Sequence, residues 1–338
     1  MTKSPNGLDR KLRGAWKEWL GRGPEEVSVT AVLEKRGLDA DNICRKEFSR
    51  FQNKFSYISF EVGELDVCFP AKPACQIEAE STTPPHHWNN RGWFHPAYLK
   101  RGFVQELAEV EDEDFDTLLA EGYSPLHLAT MWNQGFRSLA IFDRFIDIIF
   151  EALEAYALKL DSAAVTTIVP VVEGTLRTLQ DRLDFAGENT TDRLYHVRRA
   201  VAQNAVSWLY PADWIPVEFR CYDYLSHVDE FVWVVDGYVN FLRDELFEDT
   251  DDFDRESQLN RHGILHGLFD EYGTGTNFLM LHSMLEMHAF ITNMTGESQF
   301  LLFPESSQTS VRLGLYLTTL GGTGELRRSV VERLVPSE

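Results

Sequence analysis

Residues 124–160, SPLHLATMWNQGFRSLAIFDRFIDIIFEALEAYALKL, decide the fold class of this chain of 338 residues. The stretch opens on a Ser-Pro pair, which suits a helix N-terminus, since serine caps free backbone N–H groups and proline has none to leave unpaired. Apolar residues then recur at steps of three and four over most of its length, which is the period of an amphipathic α-helix. The stretch therefore predicts a domain of packed helices.

The same pattern continues through the C-terminal half. Helical spacing of apolar residues recurs over residues 161–183, 191–209, 221–246 and 276–294. Pro170 lies inside the first of these segments and predicts a kink or a restart, because proline lacks a backbone N–H. We expect a helical bundle over residues 124–323, followed by a C-terminal tail over residues 324–338.

The N-terminal third has a mixed pattern. LDRKLRGAWKEWL has helical spacing, and KEFSRFQNKF (residues 46–55) predicts a second helix. FSYISFEV and ELDVCFP are rich in aromatic and β-branched residues and flank Gly63, as in a β-hairpin. We therefore predict a smaller mixed α+β domain over residues 1–105, in a chain that is mainly α.

The chain is acidic, and its charge is unevenly distributed. The formal net charge is −21; residues 1–101 hold 16 Lys+Arg against 13 Asp+Glu, and the remaining residues hold 16 against 40. Residues 106–123 include EDEDFD and predict a solvated acidic boundary between the two domains. This charge argues against broad electrostatic adhesion to nucleic acid or to an anionic membrane.

Two further features predict a cytoplasmic protein that does not bind a membrane. The N-terminal sequence has no apolar core of the kind found in signal peptides, and no apolar run approaches the roughly 20 residues of a membrane helix. The four cysteines are too sparse for a disulfide framework, which fits a reducing compartment.

The segment LNRHGILHG, residues 259–267, concentrates residues that are reactive or costly inside a helix. Asn260 is a suitable N-cap, and we expect the helix to continue to Gly273. Arg261 and His262 would then lie in the first turn, where a helix favours bound anions such as phosphate.

Helical rotation gives this segment two distinct flanks. At about 100° per residue, His262 and His266 share one flank, and Gly263 and Gly267 leave the next flank bare. We expect another backbone or a ligand to approach the bare flank closely, because that would explain two glycines in a helix.

These motifs resemble those of the HEPN family, in particular bacterial proteins associated with abortive infection and phage defence. Arg261-His262-x3-His266 matches the R-x4–6-H signature of that family. NRHGILHG followed by DEYGTGTN resembles its NRHxxLHG…DYGTxxN block, and PVVEGTLR (residues 170–177) resembles its P-x-x-E-G-x-L-R helix. The resemblance covers about residues 124–323 and implies a HEPN-like helical bundle there.

The resemblance implies a metal-independent endoribonuclease whose composite active site lies at a homodimer interface. The RNA 2′-OH would act as nucleophile and leave a 2′,3′-cyclic phosphate and a 5′-OH. The expected role is a toxin or effector in antiviral defence, with RNA as substrate and an antitoxin or other regulatory protein as a further partner. No cofactor, metal or membrane is expected.

The catalytic residues implied by the resemblance are Arg261 and His266. Histidine titrates near neutral pH and suits general acid–base work, while arginine stays charged and can clamp the phosphate. Asn260 and His262 would orient these groups or bind substrate, and Glu173 would either form a salt bridge to Arg261 or orient a catalytic group from the facing helix. A purely structural buried carboxylate is the alternative role for Glu173.

The best basic cluster of the chain, RLYHVRR, is a candidate RNA contact through Arg193, Arg198 and Arg199. The alternative is an ordinary solvated helical face.

Two other functions compete with the ribonuclease. HEPN domains also occur as catalytically silent modules for dimerisation or for binding a ligand or partner. A helical-bundle metal enzyme is the second alternative, since His262 and His266, like His282 and Glu286, are spaced to share a helix face.

Overall fold

The computed structural model describes most of the chain and divides it into two compact units. The described residues are 6–23, 28–50, 53–80, 88, 92–183, 190–250, 253, 259–296 and 303–334. The smaller unit combines Met1–Pro85 with Arg199–Trp233, and the larger unit combines His86–Arg198 with Val234–Glu338. This division differs from the predicted one, in which the N-terminal domain is continuous and ends at residue 105.

Helices dominate the described part of the chain. Its first elements are α1 (Asn6–Gly21), α2 (Val29–Lys35), β1 (Asp41–Arg50), β2 (Asn53–Val62), β3 (Leu65–Pro70), α3 (Ala74–Glu80), α4 (Arg101–Glu109), α5 (Asp112–Gly122), α6 (Pro125–Thr130) and α7 (Ile146–Ala157). They are followed by α8 (Asp161–Arg182), α9 (Thr190–Leu209), α10 (Tyr222–Val228), α11 (Glu230–Phe241), α12 (Arg261–Leu265), α13 (Gly275–Thr295) and α14 (Gln308–Leu334). Short 3₁₀ or π turns lie at Met131–Gly135, Phe136–Ser138, Ala140–Phe142, Val217–Phe219 and Leu242–Leu246. The predicted class, mainly α with a small β component near the N-terminus, is confirmed.

The smaller unit contains a three-stranded antiparallel sheet in the order β1–β2–β3. Gly63 makes the turn between β2 and β3 with a φ of +64°, which confirms the predicted hairpin. The predicted helix over residues 46–55 is wrong, because its described residues belong to β1 and β2. Phe48 pairs with Phe55 across the strands, and their rings stack 4.8 Å apart. Cross-strand packing of this kind stabilises a sheet, and the spacing of apolar residues along the sequence does not reveal it.

Helix α13 is the central helix of the larger unit. Every residue from Asn277 to Met294 is buried, so neighbours surround the helix on all sides. It packs against α8, which packs in turn against α7, and α14 lies across α6 and α7. The C-terminal half of the chain is therefore a helical bundle, as predicted.

The acidic segment 106–123 is helical and belongs to the larger unit. Leu107 of α4 and Leu119 of α5 are completely buried, while the carboxylates between them are exposed. Asp112 lies in the first turn of α5 with two further acidic residues, where the positive end of the helix dipole stabilises negative charge. The prediction of a boundary segment is wrong, since the acidic run is the solvated face of two packed helices.

One of the two alternatives predicted at Pro170, a restart of the helix, does not occur, because α8 continues through this residue. The predicted tail after residue 323 is also wrong, because α14 runs on to Leu334. A Cβ at Gly324 would lie 2.7 Å from the carbonyl oxygen of Ala157, so glycine lets α14 pass close to the end of α7. Within the described ranges, no helix is long and apolar enough to span a membrane.

A buried histidine on α13 ties three helices together. His288 Nδ1 lies 2.8 Å from Thr175 Oγ1, and its Nε2 lies 2.6 Å from the Tyr238 hydroxyl. Thr175 donates its own proton to the Val171 carbonyl, so it accepts from Nδ1–H, and Tyr238 donates to Nε2. Burial lowers the pKa of His288 to about 3, and the ring is therefore neutral.

Acid is expected to destabilise the protein through His288. The unfolded chain binds a proton at this residue below pH 6.5, whereas the folded chain does so only near pH 3. Stability is thus full above pH 6.5 and is lost as the pH falls, by about 2 kcal/mol between pH 7 and pH 5. Buried His95, with a pKa lowered to about 4, adds a loss of the same sign. Urea titrations at several pH values measure this loss. The free energy of unfolding of His288→Gln should fall less steeply between pH 7 and pH 5 than that of the wild type, because the contribution of His288 is absent. An equally steep fall in variant and wild type would contradict this.

Candidate active site

Helix α12 carries the predicted motif but is much shorter than expected. It ends at Leu265, and the prediction that it continues to Gly273 is wrong. Gly267 adopts a left-handed φ of +66°. Its N–H donates to the Ile264 carbonyl, and the N–H of Leu268 donates to the Gly263 carbonyl at 2.8 Å. These paired bonds form a Schellman C-cap, so Gly267 serves to stop the helix.

The predicted bare glycine flank is occupied by the same chain at Gly263, whereas a Cβ on Gly267 would meet nothing within 4 Å. A Cβ on Gly263 would lie 2.2 Å from Cδ2 of Phe269, so the phenyl ring fills the space that the glycine leaves. Phe269 also packs against Phe253, with ring centroids 5.6 Å apart. The close approach predicted from the glycine is present at Gly263, but it anchors the following loop and does not admit a ligand or a second backbone there.

Asn260 fixes the N-terminal end of α12 through its side-chain amide. Its side chain is completely buried, and Oδ1 accepts from the N–H groups of His262 and Gly263, both at 3.0 Å. Its Nδ2 donates to the Glu248 carbonyl at 2.8 Å. These bonds confirm the predicted N-cap and commit the amide to backbone partners, so Asn260 orients the motif and does not contact substrate.

His262 and His266 lie together on the surface. Their ring centroids are 4.2 Å apart, and both residues are exposed. Leu265 and Leu268 beside them are 45% and 62% exposed. Two imidazoles and two uncovered leucines therefore form one outward-facing patch, called here the α12 patch.

Arg261 is fixed by the facing helix. Its Nη1 lies 2.9 Å from Glu173 Oε1 of α8, which confirms the predicted salt bridge. The guanidinium carbon lies 5.5 Å from the centroid of the Phe247 ring, within cation–π distance. Glu173 also pairs with Arg177 one turn along α8. One carboxylate thus holds two arginines, and Arg261 keeps 29% of its side chain exposed.

The second sequence block secures the path from α12 to α13. Asn277 Nδ2 donates to the Tyr272 carbonyl at 2.8 Å, and the Thr274 hydroxyl caps α13 by accepting from Asn277 N–H. A Cβ on Gly273 would lie 2.0 Å from Ser162 Oγ, so the turn lies directly against the start of α8. These residues shape the turn that holds α12 beside α8.

The three candidate RNA-contact arginines do not share one face of α9. With Arg193 at 0°, Arg198 and Arg199 lie at about 140° and 240° around the helix. Arg198 is engaged with Asp236 at 3.0 Å and stacks over the Tyr195 ring. Arg199 is exposed and falls in the smaller unit, whereas the other two belong to the larger one. They do not make a continuous track for a phosphate backbone on this helix.

A buried polar cluster centred on α13 was predicted from the sequence only in part. Glu286 Oε1 lies 2.7 Å from His127 Nε2 and 3.4 Å from His282 Nδ1, and all three side chains are buried. Burial raises the pKa of Glu286, but the two imidazoles lower it by more, so the net pKa lies below its ordinary value. Spacing on α13 pointed to His282 and Glu286, but nothing in the sequence pointed to His127 of α6.

The metal alternative finds no support in this geometry. His262 and His266 are exposed on α12, while His282 and Glu286 are enclosed in the core. Across the described ranges, no group of three or more His, Cys, Asp and Glu side chains is arranged to hold a metal ion.

Comparison of the chain with protein-family models, with curated proteins and with solved structures gave no match.

Proposed function

We propose that this protein is a metal-independent endoribonuclease that acts through the α12 patch. The observation that carries the proposal is the pair of exposed imidazoles, with centroids 4.2 Å apart, on the helix whose first residue is the salt-bridged Arg261. Histidine and arginine are the residue types that RNA cleavage by transesterification needs, and the HEPN resemblance assigns catalysis to these positions.

The proposed chemistry divides the work between the two residue types. His266 takes the 2′-OH proton or protonates the leaving 5′-oxygen, and the attack leaves a 2′,3′-cyclic phosphate and a 5′-OH. Arg261 stabilises the charge that builds on the phosphate oxygens. Its guanidinium offers several donors, so engagement with Glu173 leaves N–H groups for an anion. His262, in contact with His266, orients or assists it.

A homodimer would complete this site. Two copies bring two arginines and four imidazoles to one phosphate, so acid, base and clamp need not come from one chain. The exposed Leu265 and Leu268 support such an interface, because adjacent exposed apolar side chains rimmed by polar residues mark surfaces that a partner can cover. Alternatively, an antitoxin or other regulatory protein binds over the same residues.

A catalytically silent binding module is the second candidate. It is favoured by the ion pairing of Glu173 with both Arg261 and Arg177, which partly neutralises the cation meant for phosphate. The acidic chain as a whole, at −21, also fits a basic protein partner better than a polyanion.

The deciding experiment is cleavage of total RNA in EDTA by the full-length protein. We expect fragments with 2′,3′-cyclic phosphate ends, and a loss of at least about 100-fold in rate for His266→Ala and for Arg261→Ala. His227→Ala removes an exposed histidine of α10 and serves as the matched control, with activity retained. Cleavage that survives in both site variants, or that requires added metal, would refute the proposed site.

Absence of cleavage by the folded wild-type dimer would favour the silent module. Expression in cells then separates a regulated toxin from a scaffold. Growth arrest that is lost in His266→Ala supports the toxin or effector role in defence, and equal growth of both strains supports the module.

A further inference from the structure

Helix α14 carries a row of apolar side chains on its exposed face, called here the α14 stripe. Its members are Val311, exposed by 43%, Leu315 by 64%, Leu326 by 66% and Val330 by 45%. The other face packs against α6 and α7 through buried residues that include Gly314 and Leu317. At about 100° per residue, the centre of the stripe lies roughly 150° around the helix from that buried face. The stripe therefore points away from the helices that α14 packs against.

The stripe is symmetric about a point between residues 320 and 321. Val311 and Val330 are equally far from that point along the sequence, and so are Leu315 and Leu326. Their angles around the helix are symmetric too, at about 50° and about 10° to either side of the centre of the stripe. A second α14 laid antiparallel would therefore place valine against valine and leucine against leucine. This is an isologous contact, in which one surface is complementary to itself.

Gly322 lies within the stripe, and contacts in the described part of the chain do not account for it. A Cβ there would meet nothing within 4 Å, whereas a Cβ at Gly324 would lie against the end of α7. Glycine inside a helix is destabilising relative to alanine, so close approach by a second backbone would explain its presence. In the antiparallel arrangement, Thr319 of one copy faces Gly322 of the other, and the two helices can come closest at this point.

The charges of α14 also favour a second copy in this orientation. The chain as a whole has a net charge of −21, but α14 holds four arginines against two glutamates, so the general repulsion between copies is absent here. A parallel pair would bring each Arg333 beside its counterpart, whereas an antiparallel pair separates them by about 38 Å along the axis. Antiparallel helices also place opposite ends of their dipoles together.

We propose that a second copy of this chain docks on the α14 stripe, with the two α14 helices antiparallel about a two-fold axis between residues 320 and 321. The inference goes beyond the proposed ribonuclease and uses none of the residues of the α12 patch. A failure of the RNA cleavage assay would therefore not bear on it.

Sedimentation velocity of the full-length protein tests the contact. Leu326→Glu should raise the Kd of the dimer at least about 100-fold, because the two-fold axis introduces the buried charge twice. Val217→Glu, at a side chain 51% exposed in the smaller unit, is the control and should dimerise like the wild type. Leu268→Glu alters the α12 patch at a leucine of similar exposure and should still dimerise. Circular dichroism checks that each variant is folded.

Three outcomes of this experiment would overturn the proposal. They are a wild type that stays monomeric, a Leu326→Glu variant that dimerises as tightly as the wild type, and a dimer that dissociates in Leu268→Glu alone. The last result would assign the dimer to the α12 patch.

Cross-linking tests the antiparallel register, in a protein whose exposed cysteines are replaced by serine; these are Cys44, Cys75 and Cys221. Thr319→Cys lies about 5 Å along the axis from its counterpart, so a short bis-maleimide should link the two copies. Arg333→Cys, on the same face but about 38 Å from its counterpart, should not be linked. Equal yields at the two positions, or no link at Thr319→Cys in a dimeric protein, would contradict the proposed arrangement.

Discussion

Replacement of Glu286 by alanine is expected to lower the free energy of unfolding by about 3–5 kcal/mol. The side chain is completely buried, and one of its oxygens is hydrogen-bonded to His127 and lies 3.4 Å from His282 Nδ1. Alanine leaves the buried His127 imidazole without its hydrogen-bond acceptor, removes the negative charge beside both imidazoles and opens a cavity next to the central helix. Urea denaturation followed by circular dichroism at neutral pH measures the loss.

Glu286→Gln separates the charge from the hydrogen bonds. Its amide oxygen can still accept from His127 Nε2–H, so a loss clearly smaller than that of alanine is expected. In a double-mutant cycle, His127→Ala combined with Glu286→Ala should cost less than the two single losses together, because the contact is lost only once. Glu332→Ala on the exposed face of α14 is the control, with a change within about 0.5 kcal/mol. A Glu286→Ala protein as stable as that control would rule out the cluster as a structural element.

Elements decided by short-range signals could be predicted from the sequence. Ser124 caps α6 by accepting from the N–H of His127 at 3.3 Å, as the Ser-Pro pair indicates. Gly63 turns the hairpin because a two-residue turn needs its left-handed φ. Both signals are local: a cap and a turn depend on the chemistry of residues only a few positions apart.

The errors arise where one pattern fits two structures. Residues 46–55 have phenylalanines at steps of three and four, which fit a helix, and the pairing of Phe48 with Phe55 on the neighbouring strand decides for the sheet. Gly267 reads equally well as an interior glycine and as a helix stop. The structure uses it as a stop, and Leu265 and Leu268 on either side of that stop are exposed.

In the candidate site, too, local contacts could be predicted from the sequence and long-range contacts could not. Asn260 is one residue from the helix that it caps, so its role follows from sequence, whereas its bond to the Glu248 carbonyl needs the fold. The pairing of Glu173 with Arg261 spans two helices and was predicted only through the family resemblance. His127 and Glu286 are 159 positions apart, and no spacing rule connects residues at that separation.

Replacement of Asn260 by alanine is expected to release α12 while it leaves the imidazoles and the guanidinium chemically intact. The change removes three hydrogen bonds from a helix of only five residues. Loss of the cap costs about 1–2 kcal/mol, and the carbonyl of half-buried Glu248 loses its side-chain donor as well. Amide hydrogen exchange within α12 should therefore accelerate at least about 30-fold, a change that corresponds to 2 kcal/mol of local stability.

Asn260→Ser tests whether the cap or the tether to Glu248 holds the motif. Serine can accept from the same backbone N–H groups, but it is too short to reach the Glu248 carbonyl, so intermediate exchange is expected. If the α12 patch cleaves RNA, the cleavage rate should fall as α12 becomes less ordered. Wild type should be fastest, Asn260→Ser intermediate, and Asn260→Ala about as slow as His266→Ala. Wild-type exchange in Asn260→Ala would show that α12 is held by other contacts. Lost cleavage with unchanged exchange would mean that Asn260 acts on the substrate, against its complete burial.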